Sequence, residues 1–251
     1  ICALFLAALM LTLSPLAVMA QDAPIGALVE VEGDGALIMR AAEQGKAYPA
    51  KADDPVYAND VLQTGPGGRM LALLIDDSQF TLGENSRFKI DEYAYDDEDN
   101  TNNMARYDVL QGTFLYVSGL VAKKENPDVK IATPYGAIGI RGTTVWGGAL
   151  EDEFSVFTSE GEVTFETNRG RIRIPQGEGS VIRNINSIPE RTKVWAPEKI
   201  AKATSTVGFT AAQTIPLSGS IGPGEYRLIR TANPGANGLP LPTPDFIASP
   251  T

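Results

Sequence analysis

A glycine-interrupted run of strand-forming residues in the middle of the chain limits its fold more than any other feature. The run extends from Ile131 to Gly148 and has β-branched and aromatic residues at strand spacing. Four glycines interrupt it before the final Gly148, at positions 136, 139, 142 and 147. A glycine inside a strand pattern marks a bulge, a sharp bend or a close backbone approach. We therefore expect a strand that bends repeatedly while it stays hydrogen bonded, and an architectural rather than a chemical role.

Short strand patterns separated by glycine turns continue on both sides of this run. Residues 25–185 contain about twelve to sixteen of them, at a spacing of about ten residues. Arg69–Ile75 is a dense apolar run, whereas Ser86–Tyr93 alternates between polar and apolar residues, as a half-buried strand does. The pattern predicts an all-β domain with little helix, either a sandwich or a solenoid-like stack, without an exact repeat period.

Two segments have the sequence pattern of a β-hairpin. The first pairs Leu28–Glu32 with Ala36–Arg40 across a turn whose two glycines permit a positive φ. The second pairs Phe154–Thr158 with Glu162–Glu166 across a turn that contains Gly161.

The N-terminal segment is apolar and uncharged. Ile1–Ala20 contains Pro15 and ends in Val-Met-Ala, which predicts a secretory signal peptide cleaved before Gln21. A transmembrane anchor is the alternative, because 20 apolar residues can span a bilayer.

The C-terminal part changes in composition near residue 189. We expect a short helical extension over 189–206, with a helix that begins at Pro197. Residues 207–251 are rich in Gly and Pro and predict a disordered or extended tail, in which 225–230 adds at most one strand.

Charge and composition argue against several classes of function. The net charge of −10 is opposed to nucleic-acid binding and to docking on anionic lipid. The chain has no histidine, and its single cysteine, Cys2, lies in the predicted signal peptide. Catalytic triads, thiol chemistry and His or Cys metal sites are therefore not expected in the mature chain. The acidic segment 96–103 lacks EF-hand spacing and predicts a solvated loop rather than a Ca²⁺ site.

Several short motifs recur through the domain in a fixed order. Asp60–Gly65 reads DVLQTG, Leu73–Leu82 reads LLIDDSQFTL, and Thr133–Thr143 reads TPYGAIGIRGT. Shorter motifs lie at Val29–Gly33, Leu110–Phe114, Ser159–Val163 and Gln176–Glu178. Together they resemble the FecR domain, whose turn D-V-x-T-G, segment L-DGS--L and signature TP-G---GI-GT occur in this order, with Asp77 here where glycine is usual. The resemblance covers about residues 25–185 and implies a β-rich periplasmic domain.

In the best-known FecR proteins this domain is the outer part of a transmembrane anti-sigma regulator. There it receives a signal from a TonB-dependent outer-membrane receptor during iron uptake. The helices of a cytoplasmic anti-sigma part are not recognisable in these 251 residues. The chain therefore resembles a stand-alone exported FecR-domain protein, periplasmic or secreted, without a transmembrane segment once the signal is cleaved.

Two residues in the central run are candidates for an interaction site. Arg141 either pairs with a carboxylate of a partner or an anionic group of a ligand, or it pairs locally or faces water. Trp146 either anchors an interface or stacks on a sugar, or else fills the core.

The leading hypothesis is a module that is not an enzyme, needs no cofactor or metal, and binds another envelope protein through a sheet edge or strand face. The alternatives are a carbohydrate or peptidoglycan binder and the periplasmic part of a truncated transmembrane anti-sigma regulator. The sugar binder requires an exposed aromatic row beside carboxylates. A hydrolase with two carboxylates in a cleft is a further hypothesis.

Overall fold

The computed structural model describes residues 23–209 and contains two nine-stranded sheets. Sheet I consists, in spatial order, of β4 (Pro55–Val56), β1 (Gly26–Glu32), β6 (Arg69–Leu74), β7 (Gln79–Leu82), β10 (Phe114–Val117), β13 (Thr144–Leu150), β14 (Glu153–Glu160), β17 (Glu178–Val181) and β18 (Lys193–Val194).

Sheet II is built in the same way from the remaining strands. Its spatial order is β3 (Lys46–Pro49), β2 (Leu37–Arg40), β5 (Val61–Gln63), β8 (Arg87–Ala94), β9 (Met104–Gln111), β11 (Val129–Thr133), β12 (Gly136–Ile140), β15 (Glu162–Thr167) and β16 (Gly170–Pro175). Short 3₁₀ turns lie at Ala41–Glu43, Asn100–Asn102 and Val121–Lys123, and one α-helix, α1, at Pro197–Ser205.

Each sheet grows almost strictly in chain order, because the chain adds one or two strands to one sheet and then crosses to the other. Strand pairs are antiparallel apart from β9 with β11, which is parallel. The all-β prediction is confirmed, and the two architectures left open by the sequence are combined: the chain winds in a solenoid-like path, and its two sheets face each other as a sandwich.

The core lies between the two sheets and is rich in aromatic rings. Phe80 of sheet I contacts Phe88 and Tyr107 of sheet II, with ring centroids 4.2 and 4.7 Å apart. Phe114 and Tyr116 of sheet I complete this aromatic group, with their ring centroids 6.2 and 4.8 Å from that of Phe80. All five residues are at most 1% exposed, so this group holds the sheets together by apolar burial.

Both predicted hairpins are wrong in the same way. β1 pairs with β4 and β6, whereas β2 pairs with β3 and β5 in the other sheet. β14 likewise pairs with β13 and β17, whereas β15 pairs with β12 and β16. The glycine turns between these strands cross from one sheet to the other instead of reversing the chain within one sheet.

The central run is three strands rather than one bending strand. β11 and β12 form a tight hairpin, with Ile131 opposite Ile138. Residues 141–143 then cross to sheet I, where β13 pairs with β10 and β14. The prediction of a continuous strand is therefore wrong, because the bend at Gly142 separates strands of two different sheets.

The crossing turns need glycine because successive crossings stack closely on one another. Gly112 has a φ of +90°, and a Cβ there would lie 2.2 Å from Ser86 Oγ. Gly161 has a φ of +75°, and its Cβ would lie 2.6 Å from Gly142 O. At these two corners a larger residue is excluded both by the positive φ and by the neighbouring atoms, which leave no room for a Cβ.

The predictions for the chain ends fall largely outside the described residues. The signal peptide over 1–20, Cys2 and the strand over 225–230 lie there, as does the tail from residue 210 onward.

Candidate interaction surface

Each sheet ends in two edge strands, and these differ in the number of backbone groups that they leave open. β4 and β18 have two residues each, β3 has four and β16 has six. An edge strand presents N–H and C=O groups that can pair with another chain. β3 and β16 are therefore the two edges long enough to consider.

The register of β16 shows which of its backbone groups point outward. Its turn with β15 has two residues, and Thr167 pairs directly with Gly170, so every second pair from there is hydrogen bonded. Ile172 and Ile174 consequently bond to β15. Arg171 and Arg173 direct their N–H and C=O groups away from the sheet.

The edge at β3 has fewer outward backbone N–H groups than the edge at β16. Ala50 N donates to Ala36 O at 2.9 Å, which fixes the alternation along β2 and β3. Ala47 and Pro49 are then the outward residues, and proline has no N–H to donate. β16 therefore offers two outward donors, whereas β3 offers one.

Basic residues are frequent in the stretch of sequence that contains β16 and the segment after it, although the chain as a whole is acidic. Residues 169–193 contain six Lys or Arg and two Glu, a net charge of +4, in a chain of net charge −10. The basic residues are Arg169, Arg171, Arg173, Arg183, Arg191 and Lys193.

The two outward arginines remain largely exposed. Arg171 pairs with Glu166 at 2.9 Å and Arg173 with Glu162 at 3.8 Å, and the arginine side chains are 64% and 78% exposed. Exposed pairs of this kind contribute at most about 1 kcal/mol, so both arginines can exchange partners. Ile188, which is 70% exposed, lies next to Gly170 at the beginning of the strand.

Trp146 lies on the outer face of sheet I but is covered by the chain's own C-terminal segment. It is 1% exposed, its Nε1 donates to Thr206 Oγ1 at 3.1 Å, and its ring contacts the edge of Trp195 at 5.9 Å. Trp195 also stacks on Phe157 at 4.8 Å. In this arrangement Trp146 is not accessible to a partner or a sugar.

Arg141 lies elsewhere, in the corner between β12 and β13. Its side chain is exposed, and its Nη2 donates to Glu125 O at 3.4 Å. The structure thus places the two sequence candidates on different surfaces, and Arg141 as an interaction residue stays a prediction. The segment Arg171–Pro175 alternates between arginine and isoleucine, and this alternation alone predicts that Ile172 and Ile174 face inward and the two arginines outward. Pro175 is the one sequence cue that this strand lies at an edge.

The FecR-like motifs mainly hold the fold together. Asp76, which is 1% exposed, accepts hydrogen bonds from Ser78 Oγ at 2.6 Å, Tyr93 Oη at 2.9 Å and Val121 N at 3.2 Å. Burial, followed by the nearby Asp76 carboxylate, raises the pKa of Tyr93. In the D-V-x-T-G turn, Thr64 Oγ1 donates to Gly83 O at 2.6 Å and accepts from Ser86 N at 2.9 Å.

The acidic segment after β8 uses its carboxylates to order its own backbone. Asp96 Oδ1 accepts from Glu98 N at 2.9 Å and from Asp99 N at 3.1 Å. Asp99 accepts from Thr101 N at 2.9 Å, and the hydrogen bonds from Thr101 lower the pKa of Asp99. Between residues 23 and 209, no three His, Cys, Asp or Glu side chains lie together as metal ligands would.

Two further observations concern the alternative functions, a carbohydrate binder and a transmembrane anti-sigma regulator. Every aromatic side chain in the described range is buried or partly buried, so an exposed aromatic row for sugar stacking is not present there. No helix over 23–209 has the length and apolar character needed to cross a membrane.

Comparison with known proteins agrees with the motifs. The model of the family FecR protein matches residues 60–164, which confirms the resemblance. No curated protein matches the chain. Two crystal structures of a candidate anti-sigma factor from Parabacteroides distasonis ATCC 8503, at 2.50 and 1.65 Å resolution, are similar with a TM-score of 0.45 and 13% identity. The similar region covers 56% of this chain and 62% of that chain, so this chain spans less than two thirds of its length.

Proposed function

We propose that this chain, which matches the FecR model over residues 60–164, is an exported regulatory or signal-sensing module that binds another envelope protein. It performs no chemistry of its own. Its partner adds an extended segment to the open edge of sheet II at β16. The match to FecR supports a regulatory role, and the uncharged run Ile1–Ala20 supports export.

The observation that carries this proposal is the open edge itself. Arg171 and Arg173 present two N–H groups and two C=O groups along a six-residue strand. Strand addition gives affinity through such main-chain hydrogen bonds, and side chains at alternate positions give specificity.

Photo-crosslinking in intact cells tests the proposed edge. A benzophenone amino acid replaces Gln176, an exposed residue that follows β16, or Ala47 on the β3 edge as a control. We expect a crosslink to one envelope protein from position 176 and none to that protein from position 47.

Arg171→Pro removes one outward N–H without affecting a hydrogen bond to β15, and should abolish the crosslink from position 176. Arg171→Ala keeps the N–H and should retain most of it. A crosslink that persists unchanged in Arg171→Pro would rule out strand addition at β16.

Mass spectrometry of the intact mature protein tests export. A chain that begins at Gln21 supports a free exported module. A chain that retains Ile1–Ala20 in the membrane would instead support an anchored anti-sigma regulator.

A further inference from the structure

We infer that the segment added at β16 alternates between acidic and apolar residues, an inference that rests on the proposed function. The outward N–H groups determine where this segment lies. The chemistry of the two faces of β16 determines which side chains it carries.

The two faces of β16 make different demands on a neighbouring strand. Arg171 and Arg173 project from the outer face of sheet II, whereas Ile172 and Ile174 project toward the core. Directly opposed residues on neighbouring strands share a face, and opposite charges stabilise such a pair. A partner strand therefore places acidic residues opposite the arginines and an apolar residue opposite Ile172.

The strand that already pairs with β16 has this chemistry. β15 reads Glu-Val-Thr-Phe-Glu-Thr, with Glu162, Thr164 and Glu166 outward and Val163 and Phe165 inward. Glu166 lies opposite Arg171, and Phe165 lies opposite Ile172. A partner of similar alternation on the free side would place Arg171 between two acidic neighbours. Arg173 lies opposite Thr164 and reaches Glu162 only at 3.8 Å, so it would gain its first directly opposed carboxylate.

The surroundings of the edge favour the same partner. Residues 162–175, which form β15, β16 and the turn between them, contain three Arg and two Glu, a net charge of +1, so an acidic segment meets a positive edge on a chain that is otherwise acidic. Ile188 extends the apolar surface beside Gly170, and Ile172 is only partly buried. Pro175 limits the addition to a short segment, because it faces outward and has no N–H.

The two arginines also provide specificity against unwanted pairing. Charged side chains on an edge strand oppose pairing with uncharged strands and with a second copy of the same edge. An acidic strand removes this penalty, so the same charges that prevent aggregation select the partner.

Fluorescence anisotropy with three labelled peptides tests the inference on the mature protein. The first is Thr-Glu-Val-Glu-Val-Glu-Thr, the second replaces each Glu with Lys, and the third is Thr-Glu-Glu-Val-Val-Glu-Thr, which keeps the composition but loses the alternation. We expect the first to bind at least about tenfold more tightly than either control, and more weakly as NaCl rises from about 0.05 to 0.3 M.

The double variant Arg171→Glu, Arg173→Glu should weaken binding of the acidic peptide about tenfold or more and improve binding of the Lys peptide. This exchange of preference shows that the variant is folded. Lys130→Glu, an exposed charge change on β11, is the matched control and should change affinity less than about twofold. Equal binding of the three peptides, or no binding of the acidic peptide up to about 1 mM, would overturn the inference.

The cell-based crosslink separates this inference from the proposed function. If Arg171→Pro abolishes the crosslink from position 176 and the double charge reversal leaves it intact, strand addition stands and the acidic partner is wrong. If the double charge reversal also abolishes the crosslink, both strand addition at β16 and the acidic partner are supported.

Discussion

The outer face of sheet I around β13 and β14 is apolar and covered by the C-terminal segment that contains Trp195 and α1, whereas the outer face of sheet II is charged and open to solvent. On sheet I, Trp146 and Phe157 lie under Trp195 and α1. On sheet II, Arg106 pairs with Asp128 at 2.6 and 2.7 Å, and Lys89 pairs with Asp91. The outer face of sheet I thus forms part of a second hydrophobic core, whereas the outer face of sheet II is a solvent-exposed charged surface.

The strand sequences reflect this difference. β6 is buried at five of six positions and β7 at all four, because both of their faces are covered. β9 and β15, in sheet II, alternate between buried and more exposed positions along most of their length. Continuous apolar strands therefore indicate that something must cover both faces, and alternation indicates a face left to water or to a partner.

The largest expected effect comes from removing the cover of sheet I. Trp195→Ala should lower the free energy of unfolding by about 3–5 kcal/mol, because it leaves a cavity over Trp146 and Phe157. Urea denaturation followed by circular dichroism measures this change. Val194→Ala, at a side chain that is 78% exposed, should cost less than about 0.5 kcal/mol. Similar losses for the two variants would show that the segment does not pack on the sheet.

A pair of glycines tests the two faces with the same substitution. A Cβ at Gly179 on β17 would lie 2.4 Å from the ring of Trp195, so Gly179→Ala should destabilise the protein by about 1–3 kcal/mol. A Cβ at Gly139 on β12 would meet nothing nearer than 3.8 Å, so Gly139→Ala should change stability by less than about 0.5 kcal/mol. Thermal unfolding of both variants provides the comparison, and equal destabilisation would contradict it.

The charged face of sheet II should contribute less. Arg106→Ala removes an ion pair in which Nη2 donates to both carboxylate oxygens of Asp128. The arginine side chain is 29% exposed, so the loss should cost about 1 kcal/mol or less. The cost should decrease in about 1 M NaCl, because salt screens exposed charges. A cost of several kcal/mol that salt does not change would indicate that this face is also covered.

The smallest effect is expected at Glu151, where Lys202 of α1 reaches sheet I. The hydrogen bond and charge of Lys202, 3.1 Å away, lower the pKa of Glu151. A lowered carboxyl pKa stabilises the fold above the ordinary glutamate value and is lost as the pH falls through the folded-state value. Glu151→Gln should therefore lower the melting temperature slightly at pH 7 and not at about pH 3. A shift of equal size at both pH values would rule out this ion pair.

Local sequence patterns predicted the strands well and their pairing poorly. The inward and outward positions of Ser86–Tyr93 and Arg171–Pro175 follow from alternation alone. The prediction of hairpin turns at Gly33 and Gly161 is wrong, because a positive φ is needed equally by a hairpin turn and by a crossing between sheets. Whether such a turn closes a hairpin or crosses between sheets depends on pairing with distant strands, and the local spacing of residues gives no information on that pairing.

The candidate site depends on the same long-range information. Trp146 is buried because Trp195 and Thr206, far along the chain, pack on it. β16 is an edge because β17 crosses to the other sheet instead of pairing with it. The outward arginines were visible in the sequence, but their position at an open edge was not.

Residue-resolved amide hydrogen exchange of the free protein tests the central claim most directly. We expect fast exchange at Arg171 and Arg173, slow exchange at Ile172 and Ile174, and slow exchange at the indole N–H of Trp146, which donates to Thr206. Uniform protection along β16 together with fast exchange at the Trp146 indole would contradict the account, since sheet II would then be the closed side and sheet I the open one.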